Sequence, residues 1–251
     1  MPLVRGALAV LIVLLFAPLV ALAFTVPPSA VAAALALPDT QSALRTSLVA
    51  SLASVGVAAL LGIPAGYALA RTSVFWRALG LFALALPLAL PPVASGIALL
   101  GVFGTRQPVG AWLAAHGLGA VDTLLGVGIA EFFVSGSFVA ISATAAFSDV
   151  DRSLEEAART LGAGPVRVLA TVALPLAAPG IFAGMLLAWL RALGEYGATS
   201  ILAYHPTSLP IELVVALSAD GVPRALALTE AFVVLTALGI ALAAQVRRRL
   251  V

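Results

Sequence analysis

The densest internal group of charged residues lies between residues 149 and 167, between two long apolar stretches. Ser153-x-x-Glu156 is a capping-box pattern, so we expect a helix to begin near Leu154. Four apolar positions then recur at the i, i+3, i+4 and i+7 spacing of one helix face: Leu154, Ala157, Ala158 and Leu161. The chemistry available here is recognition, because burying either leucine in a partner's groove would contribute about 1.5–3 kcal/mol.

The predicted helix has a defined end and two interpretations. Gly162 and Gly164 should terminate it, and Pro165 suits the first position of a second short helix. One interpretation is an amphipathic helix on lipid headgroups, which usually carries a basic rim. Glu155, which falls off the apolar face, and Glu156 instead open this helix with acidic residues. A soluble partner that grips the segment is therefore the favoured interpretation.

Composition predicts that lipid is the main solvent of this chain. It is 62% hydrophobic and 10% charged, whereas soluble domains carry about a quarter charged residues. The absence of cysteine excludes disulfides and thiolate sites, and the absence of lysine excludes a Walker phosphate-binding loop. If ATP drives this protein, another chain must hydrolyse it. The net charge of +2 comes with scattered arginines, a pattern that does not indicate nucleic-acid binding.

Six stretches are long and apolar enough to cross a bilayer, since about 20 helical residues span about 30 Å of hydrocarbon. The predicted spans are 6–26, 47–70, 79–103, 124–147, 173–203 and 225–246. The predicted fold class is an all-α, polytopic membrane protein. The stretch 29–37 is apolar but too short to span. The first span also resembles a signal peptide ending at Ala21-Leu22-Ala23, but its long apolar run favours an uncleaved helix.

Arginine placement predicts which side of the membrane each loop faces. With the N-terminus inside, nine arginines take cytoplasmic positions and three lie outside. The nine are Arg5, Arg71, Arg77, Arg152, Arg159, Arg167, Arg247, Arg248 and Arg249. The three are Arg45, Arg106 and Arg224. Both termini and the segment 148–172 are therefore predicted to be cytoplasmic.

The spacing of residues 156–175 resembles a known docking loop. Glu156-Ala157-Ala158 is followed after three residues by Gly162, and after nine more by Val172-Ala173-Leu174-Pro175. This pattern resembles the loop by which permease subunits of type I ABC importers dock on their ATPases, with Val172 where Ile is usual. Residues 42–246 resemble the permease domain of that family with its five-helix core. A helix and outer loop at 1–41 precede it, and a basic tail at 247–251 follows.

The resemblance implies coupling residues and partners. The implied ATPase-coupling residues lie in or just after the segment 153–171: Leu154, Glu155, Glu156, Ala157, Ala158, Leu161, Gly162, Pro165, Leu174 and Pro175. It implies a homodimer in a prokaryotic inner membrane, two cytoplasmic ATPase subunits that hold ATP and Mg, and an extracytoplasmic binding protein. No cofactor or metal is expected on this chain, which is expected to be a transport subunit and not an enzyme.

Further stretches resemble one branch of this family. Residues 86–92 and 192–199 are similar to permeases for molybdate, tungstate and sulfate. Residues 203–206 and 218–221 are most similar to the molybdate/tungstate members. The resemblance therefore implies molybdate or tungstate as the substrate. Sulfate, then thiamine or another small solute, are the alternatives.

Prolines and ionisable groups mark positions within the spans. The candidate pore or kink residues are Pro87, Pro91, Pro92, Arg191, Glu195 and Tyr196. The prolines should kink the third span because each lacks an amide donor, and the kink could line a pore or be merely structural. Arg191 and Glu195 stand one turn apart and could form a structural pair, which is favoured, or lie beside an anion path. Glu131 should face the bundle or be protonated.

Two glycine motifs predict close helix packing. Gly62-x-x-x-Gly66 and Gly180-x-x-x-Gly184 place small residues on one helix face, and contacts within one subunit are favoured over sliding interfaces.

No zinc-binding or nucleophile motif in the sequence supports an enzyme. A secondary transporter or channel is the rival function, but it predicts several membrane-buried charges and leaves the docking loop without a purpose.

Overall fold

The computed structural model describes the backbone of residues 2–250 and the side chains of residues 4–245. In chain order the helices are α1 (Pro2–Thr25), α2 (Pro28–Ala36), α3 (Pro38–Arg71), α4 (Val74–Ala89), α5 (Pro92–Phe103), α6 (Pro108–Ala115), α7 (Leu124–Ser148), α8 (Arg152–Thr160), α9 (Pro165–Val168), α10 (Leu174–Leu193), α11 (Gly197–Leu202), α12 (Leu209–Ala219) and α13 (Val222–Leu250). A π-helical turn, Leu169–Ala173, joins α9 to α10. Residues 2–250 contain no strand, so the all-α class is confirmed.

The outer surface of the helix bundle is apolar. Large side chains point away from the bundle on α1, α3 and α10, where Leu14 is 67%, Leu60 74% and Leu187 53% exposed. Lipid tails accept such a surface, whereas soluble monomers rarely expose large contiguous apolar patches. Five helices are long and apolar enough to cross a bilayer, and α4 with α5 makes a sixth crossing as a bent pair. The prediction of a polytopic membrane protein is confirmed.

Helices α3 and α7 form the centre of the bundle and run parallel. Gly62 of α3 lies against Ala140 of α7, and one turn later Gly66 lies against Ala143. A Cβ atom at Gly66 would stand 2.6 Å from the Ala143 side chain, so the two backbones approach this closely only because residue 66 is glycine. The first glycine motif therefore packs within one chain, as predicted.

Helix α10 packs antiparallel to α7 through the second glycine motif. Gly180 lies against Ala146, and Gly184 lies against Ser142. Small residues at both positions permit the van der Waals contact that holds helices together in lipid. Both motifs thus serve contacts within one chain, and the favoured interpretation is confirmed.

Helices α4 and α5 make one crossing although they meet at 104°. Because α3 and α7 are parallel, the chain leaves α3 at one end of the bundle and enters α7 at the other. The predicted span 79–103 is therefore correct as a crossing but wrong as one kinked helix. Pro91 and Pro92 lack amide donors, so the helix stops at Ala89 and a new one begins at Pro92. Pro87 lies inside α4.

The fifth span also differs from the predicted range 173–203. Its helix begins at Pro165 and continues through the π turn to Leu193. Polar residues such as Arg167 and Thr171 concealed this early start, because they lowered the hydropathy of a segment that is already helical. The residues 194–196 break the helix, and α11 follows as a separate short segment.

The start of the first span and the end of the last span lie at the same end of the bundle. Helix α13 runs antiparallel to α10, since Gly194 lies near Phe232 and Gly239 lies against Trp189. The last turn of α1 packs with α2 and the start of α13, so α1 begins at the end where α13 finishes. That end also carries α8. The side chains of the basic tail 247–251 lie outside the described residues, and the cytoplasmic assignment stays a prediction.

Candidate functional site

Helix α8 begins earlier than the capping box predicted. Its cap is Asp151, whose carboxylate accepts a hydrogen bond of 2.9 Å from the Ser153 amide. This bond to the backbone holds the pKa of Asp151 below its usual range. Ser153 therefore lies in the first turn, because an equally good capping residue stands two positions upstream.

The predicted apolar face of α8 is exposed on the single chain. Leu154 is 48% and Leu161 89% exposed, and Ala157 is exposed between them. Val166 on α9, which the sequence did not single out, adds a third large apolar group at 79% exposure. Glu156 is also exposed. Among the described residues nothing covers this surface, which is the arrangement that a docking surface requires.

Glu155 is the exception on α8, because its side chain turns toward the bundle and is 2% exposed. Its carboxylate accepts hydrogen bonds from Tyr67 Oη at 2.7 Å and Arg71 Nε at 2.9 Å, and it forms an ion pair with the Arg71 guanidinium. Arg159 adds a longer contact of 3.4 Å. Burial raises the pKa of Glu155, but the bonds from Arg71 and Tyr67 outweigh burial and hold the pKa below its usual range.

The turn after α8 depends on one glycine. Gly162 has a φ of +86°, a conformation that glycine adopts without steric cost. Pro165 then occupies the first turn of α9, as predicted. Leu174 and Pro175 begin α10, where Leu174 packs on a buried cluster at the base of the bundle. The structure thus places these last two candidates at the start of a spanning helix that continues directly from α9.

The two interrupted spans meet at their breaks. Pro92, which begins α5, lies against Gly197, which begins α11, and Gly96 of α5 lies against Ala198 in the same way. A Cβ at Gly197 would stand 2.5 Å from the Pro92 side chain. The structure therefore brings two stretches of pore or kink candidates together: the break at Pro91 and Pro92, and the break that contains Glu195 and Tyr196. Pro87 stands in the last turn of α4, before this break, and lines a groove of about 250 Å³ between α3, α4 and α7.

The predicted pair between Arg191 and Glu195 is present as an ion pair. The Glu195 side chain is 1% exposed and the Arg191 side chain 33%. Glu195 Oε1 also accepts a hydrogen bond of 2.7 Å from the Ala198 amide in α11. Glu195 therefore ties the last turn of α10 to the first turn of α11 across the break.

Glu131 faces the bundle interior, as one of the two predicted alternatives has it, and is 1% exposed. Its Oε2 atom has no hydrogen-bond partner among the described residues. Its neighbours Ala130 and Val134 pack in one buried cluster with Ala198 and Leu202 of α11. A further ionisable group is therefore buried beside the break between α10 and α11.

Comparison with known proteins identifies the family. Residues 58–251, more than half of the chain, match the family described as binding-protein-dependent transport system inner membrane component. The chain belongs to this family of membrane permeases. This permease is therefore a multi-pass transport subunit.

Two similar relatives share most of the permease's length. It is 38% identical over 222 residues to a probable molybdenum ABC transporter permease protein of Haloferax volcanii, across 86% of this chain and 79% of that relative. It is 39% identical over 207 residues to the molybdenum transport system permease protein ModB of Mycobacterium tuberculosis, across 80% of this chain and 78% of that relative.

The fold of the permease also matches a solved ABC transporter. A chain of a bacterial ABC transporter involved in the import of the acidic polysaccharide alginate superposes with a TM-score of 0.68. The superposition covers 99% of this chain and 94% of that chain at 18% sequence identity. At this identity the likeness shows the fold alone.

Sequence patterns missed two residues that hold α8 in place. Tyr67 and Arg71 lie on the last turns of α3, and both bond Glu155. The sequence indicated only that Arg71 belonged to a cytoplasmic loop. An arginine at the end of a span opposite an inward-facing glutamate was the available signal, but it requires knowledge of which helix ends meet.

Proposed function

We propose that this permease moves an oxyanion, molybdate or tungstate, into the cell as part of an ATP-driven importer. The observation that carries the transport mechanism is the uncovered apolar face of α8, formed by Leu154 and Leu161 at one end of a membrane-spanning bundle. The observation that supports the substrate is the identity of 38–39% to relatives described as molybdenum permeases. A permease of this kind passes what a separate binding protein delivers.

The complex consists of two copies of this chain, two ATPase subunits and an extracytoplasmic binding protein. The apolar face of α8 enters a groove on an ATPase, which holds ATP and Mg, while this chain binds no cofactor. Both termini and α8 lie in the cytoplasm of a prokaryotic cell, in agreement with the arginine distribution. Pro91, Pro92 and Tyr196 are exposed where the two breaks meet, which supports a place for the breaks at the dimer axis or pore.

The transport cycle alternates between two rigid-body states. Closure of the ATPases on ATP draws the two docked α8 segments together, and the bundle turns its pore outward. Each state is favoured by a different ligand, because a ligand shifts an equilibrium only by its differential affinity for the two states. The close glycine contacts between α3, α7 and α10 favour motion of these helices as one body.

Sulfate is the second candidate substrate. The permease is 35% identical over 163 residues to the sulfate transport system permease protein CysW of Synechocystis, across 65% of this chain and 59% of that relative. Molybdate, tungstate and sulfate are all tetrahedral dianions, so a shared permease fold is compatible with each. This match is shorter and less identical than those to the two molybdenum permeases, which favours molybdate over sulfate.

The ligand of the partner binding protein tests the substrate. We expect calorimetry on the purified binding protein to show molybdate and tungstate binding at least about 100-fold more tightly than sulfate, a difference of about 2.7 kcal/mol. Thiamine serves as the unrelated control and should give no heat of binding. Tighter binding of sulfate or thiamine would contradict the proposed substrate without affecting the assignment to the family.

A further inference from the structure

Arg71 connects three helix ends at the base of the bundle. Its Nε atom donates to Glu155 of α8, and its Nη1 atom donates to the Phe147 carbonyl of α7 at 2.9 Å. A longer bond of 3.4 Å joins Nη2 to the Val150 carbonyl. The Phe147 carbonyl lies in the last turn of α7, where the positive guanidinium interacts favourably with the negative end of the helix dipole.

Other polar contacts strengthen the same connection. Arg152 of α8 donates to the Ala70 carbonyl at 3.1 Å, near the end of α3. Tyr67 donates to Glu155 at 2.7 Å, and its ring packs edge-on against Phe147 with 5.2 Å between the centroids. Helix α8 is therefore bonded through Glu155 and Arg152 to the end of α3, and Arg71 extends this connection to the end of α7.

The other side of α8 lacks such bonds. Among residues 4–245, no side-chain hydrogen bond joins α8 to the arm made of α9, the π turn and α10. The chain there runs through Gly162 and Gly164, and added Cβ atoms at both would meet nothing within 4 Å. Among the described residues, the side-chain hydrogen bonds from α8 to other helices thus lead to α3, and through Arg71 to α7.

We propose that Glu155, Arg71 and Tyr67 form the link that transmits movement of the docked α8 to the α3–α7 pair. Glu155 is then a positioning residue for energy coupling and not a docking residue, although it lies next to Glu156 in the family's docking pattern. The link acts through the charge-assisted bonds of a side chain that is 2% exposed, which a partner protein cannot reach. This inference rests on the proposed function, in which α8 is the part that the ATPase grips.

The link can be tested in the reconstituted importer, where the affinity for the ATPase subunit and the uptake per ATP hydrolysed are measured separately. Glu155→Gln should leave the affinity for the ATPase subunit within about twofold of the parent, because the exposed apolar face is unchanged. Molybdate uptake per ATP hydrolysed in proteoliposomes should fall about tenfold, within the range of coupling energies measured between protein sites. Tyr67→Phe removes one hydroxyl and should lower the same ratio about threefold.

Matched variants distinguish this inference from the proposed function. Arg159→Gln removes the long, exposed contact to the same carboxylate and should keep uptake per ATP within about twofold.

Leu161→Asp should abolish ATPase binding. If it does not, α8 is not the docking helix and both proposals are contradicted. If Leu161→Asp abolishes binding and Glu155→Gln does so equally, or if Glu155→Gln leaves uptake per ATP unchanged, the link alone is overturned. Should Glu155→Gln fail to fold, an unchanged ratio in Tyr67→Phe would overturn it.

Discussion

Gly162→Pro should abolish transport while the membrane bundle stays folded. Gly162 has a φ of +86°, whereas proline requires about −65°, and its amide donates to the Arg159 carbonyl at 2.9 Å, which proline cannot do. The end of α8 must therefore rearrange, and the docking face moves with it. We expect substrate-stimulated ATPase activity in liposomes to disappear, while the detergent-extracted permease remains monodisperse. Glu156→Arg, an exposed change on α8, should have the same effect.

Gly164 offers the matched control for this experiment. Its φ of −70° suits any residue, and an added Cβ would meet nothing within 4 Å. Gly164→Ala should therefore retain stimulated ATPase activity and transport. Normal transport by both Gly162→Pro and Glu156→Arg would show that this segment does not couple the permease to an ATPase.

Removal of one partner from the Arg191–Glu195 pair should destabilise the permease strongly. Loss of Arg191 leaves the buried Glu195 carboxylate unpaired, a change that typically costs about 3–5 kcal/mol in buried pairs. Arg191 is 33% exposed, so screening places the expected cost toward the lower end of that range. Arg191→Leu with Glu195→Gln should recover expression and most transport, since glutamine can still accept the bond from the Ala198 amide.

A double-mutant cycle on thermal stability and uptake separates this structural pair from an anion path. A structural pair makes the two single effects non-additive, because each single change leaves the other group unpaired. If Arg191 instead contacts a passing anion, Arg191→Gln should fold normally yet slow uptake, and changing Glu195 as well should not restore it. Additive losses of transport at unchanged stability would contradict the structural role.

The crossings and the exposed apolar face of α8 could be predicted because membrane proteins repeat simple local rules. Hydropathy and helix length identified six crossings, and apolar spacing identified the face of Leu154 and Leu161 that the structure leaves exposed. Glycine spacing identified the faces of α3 and α10 that pack closely within one chain. Each of these inferences needs only residues within one helix.

Features that depend on distant residues could not be predicted in the same way. The prolines at 91 and 92 indicated a kink, but the angle of 104° also depends on α11, whose Gly197 receives Pro92. Glu155 could be placed off the apolar face of α8, yet its bonds to Arg71 join residues 84 positions apart in the chain. The start of the fifth span was missed for a local reason. Its helix begins at Pro165, whereas the apolar stretch that predicted the span begins at residue 173.

ATP-dependent uptake into proteoliposomes tests the central claim most directly. The vesicles contain this permease with its ATPase partner, and the loaded binding protein is added outside with labelled molybdate. We expect uptake that requires ATP and the binding protein, that excess tungstate abolishes, and that excess sulfate leaves largely unchanged. Molybdate accumulation without ATP, or ATP-driven uptake of sulfate but not of molybdate, would contradict the account.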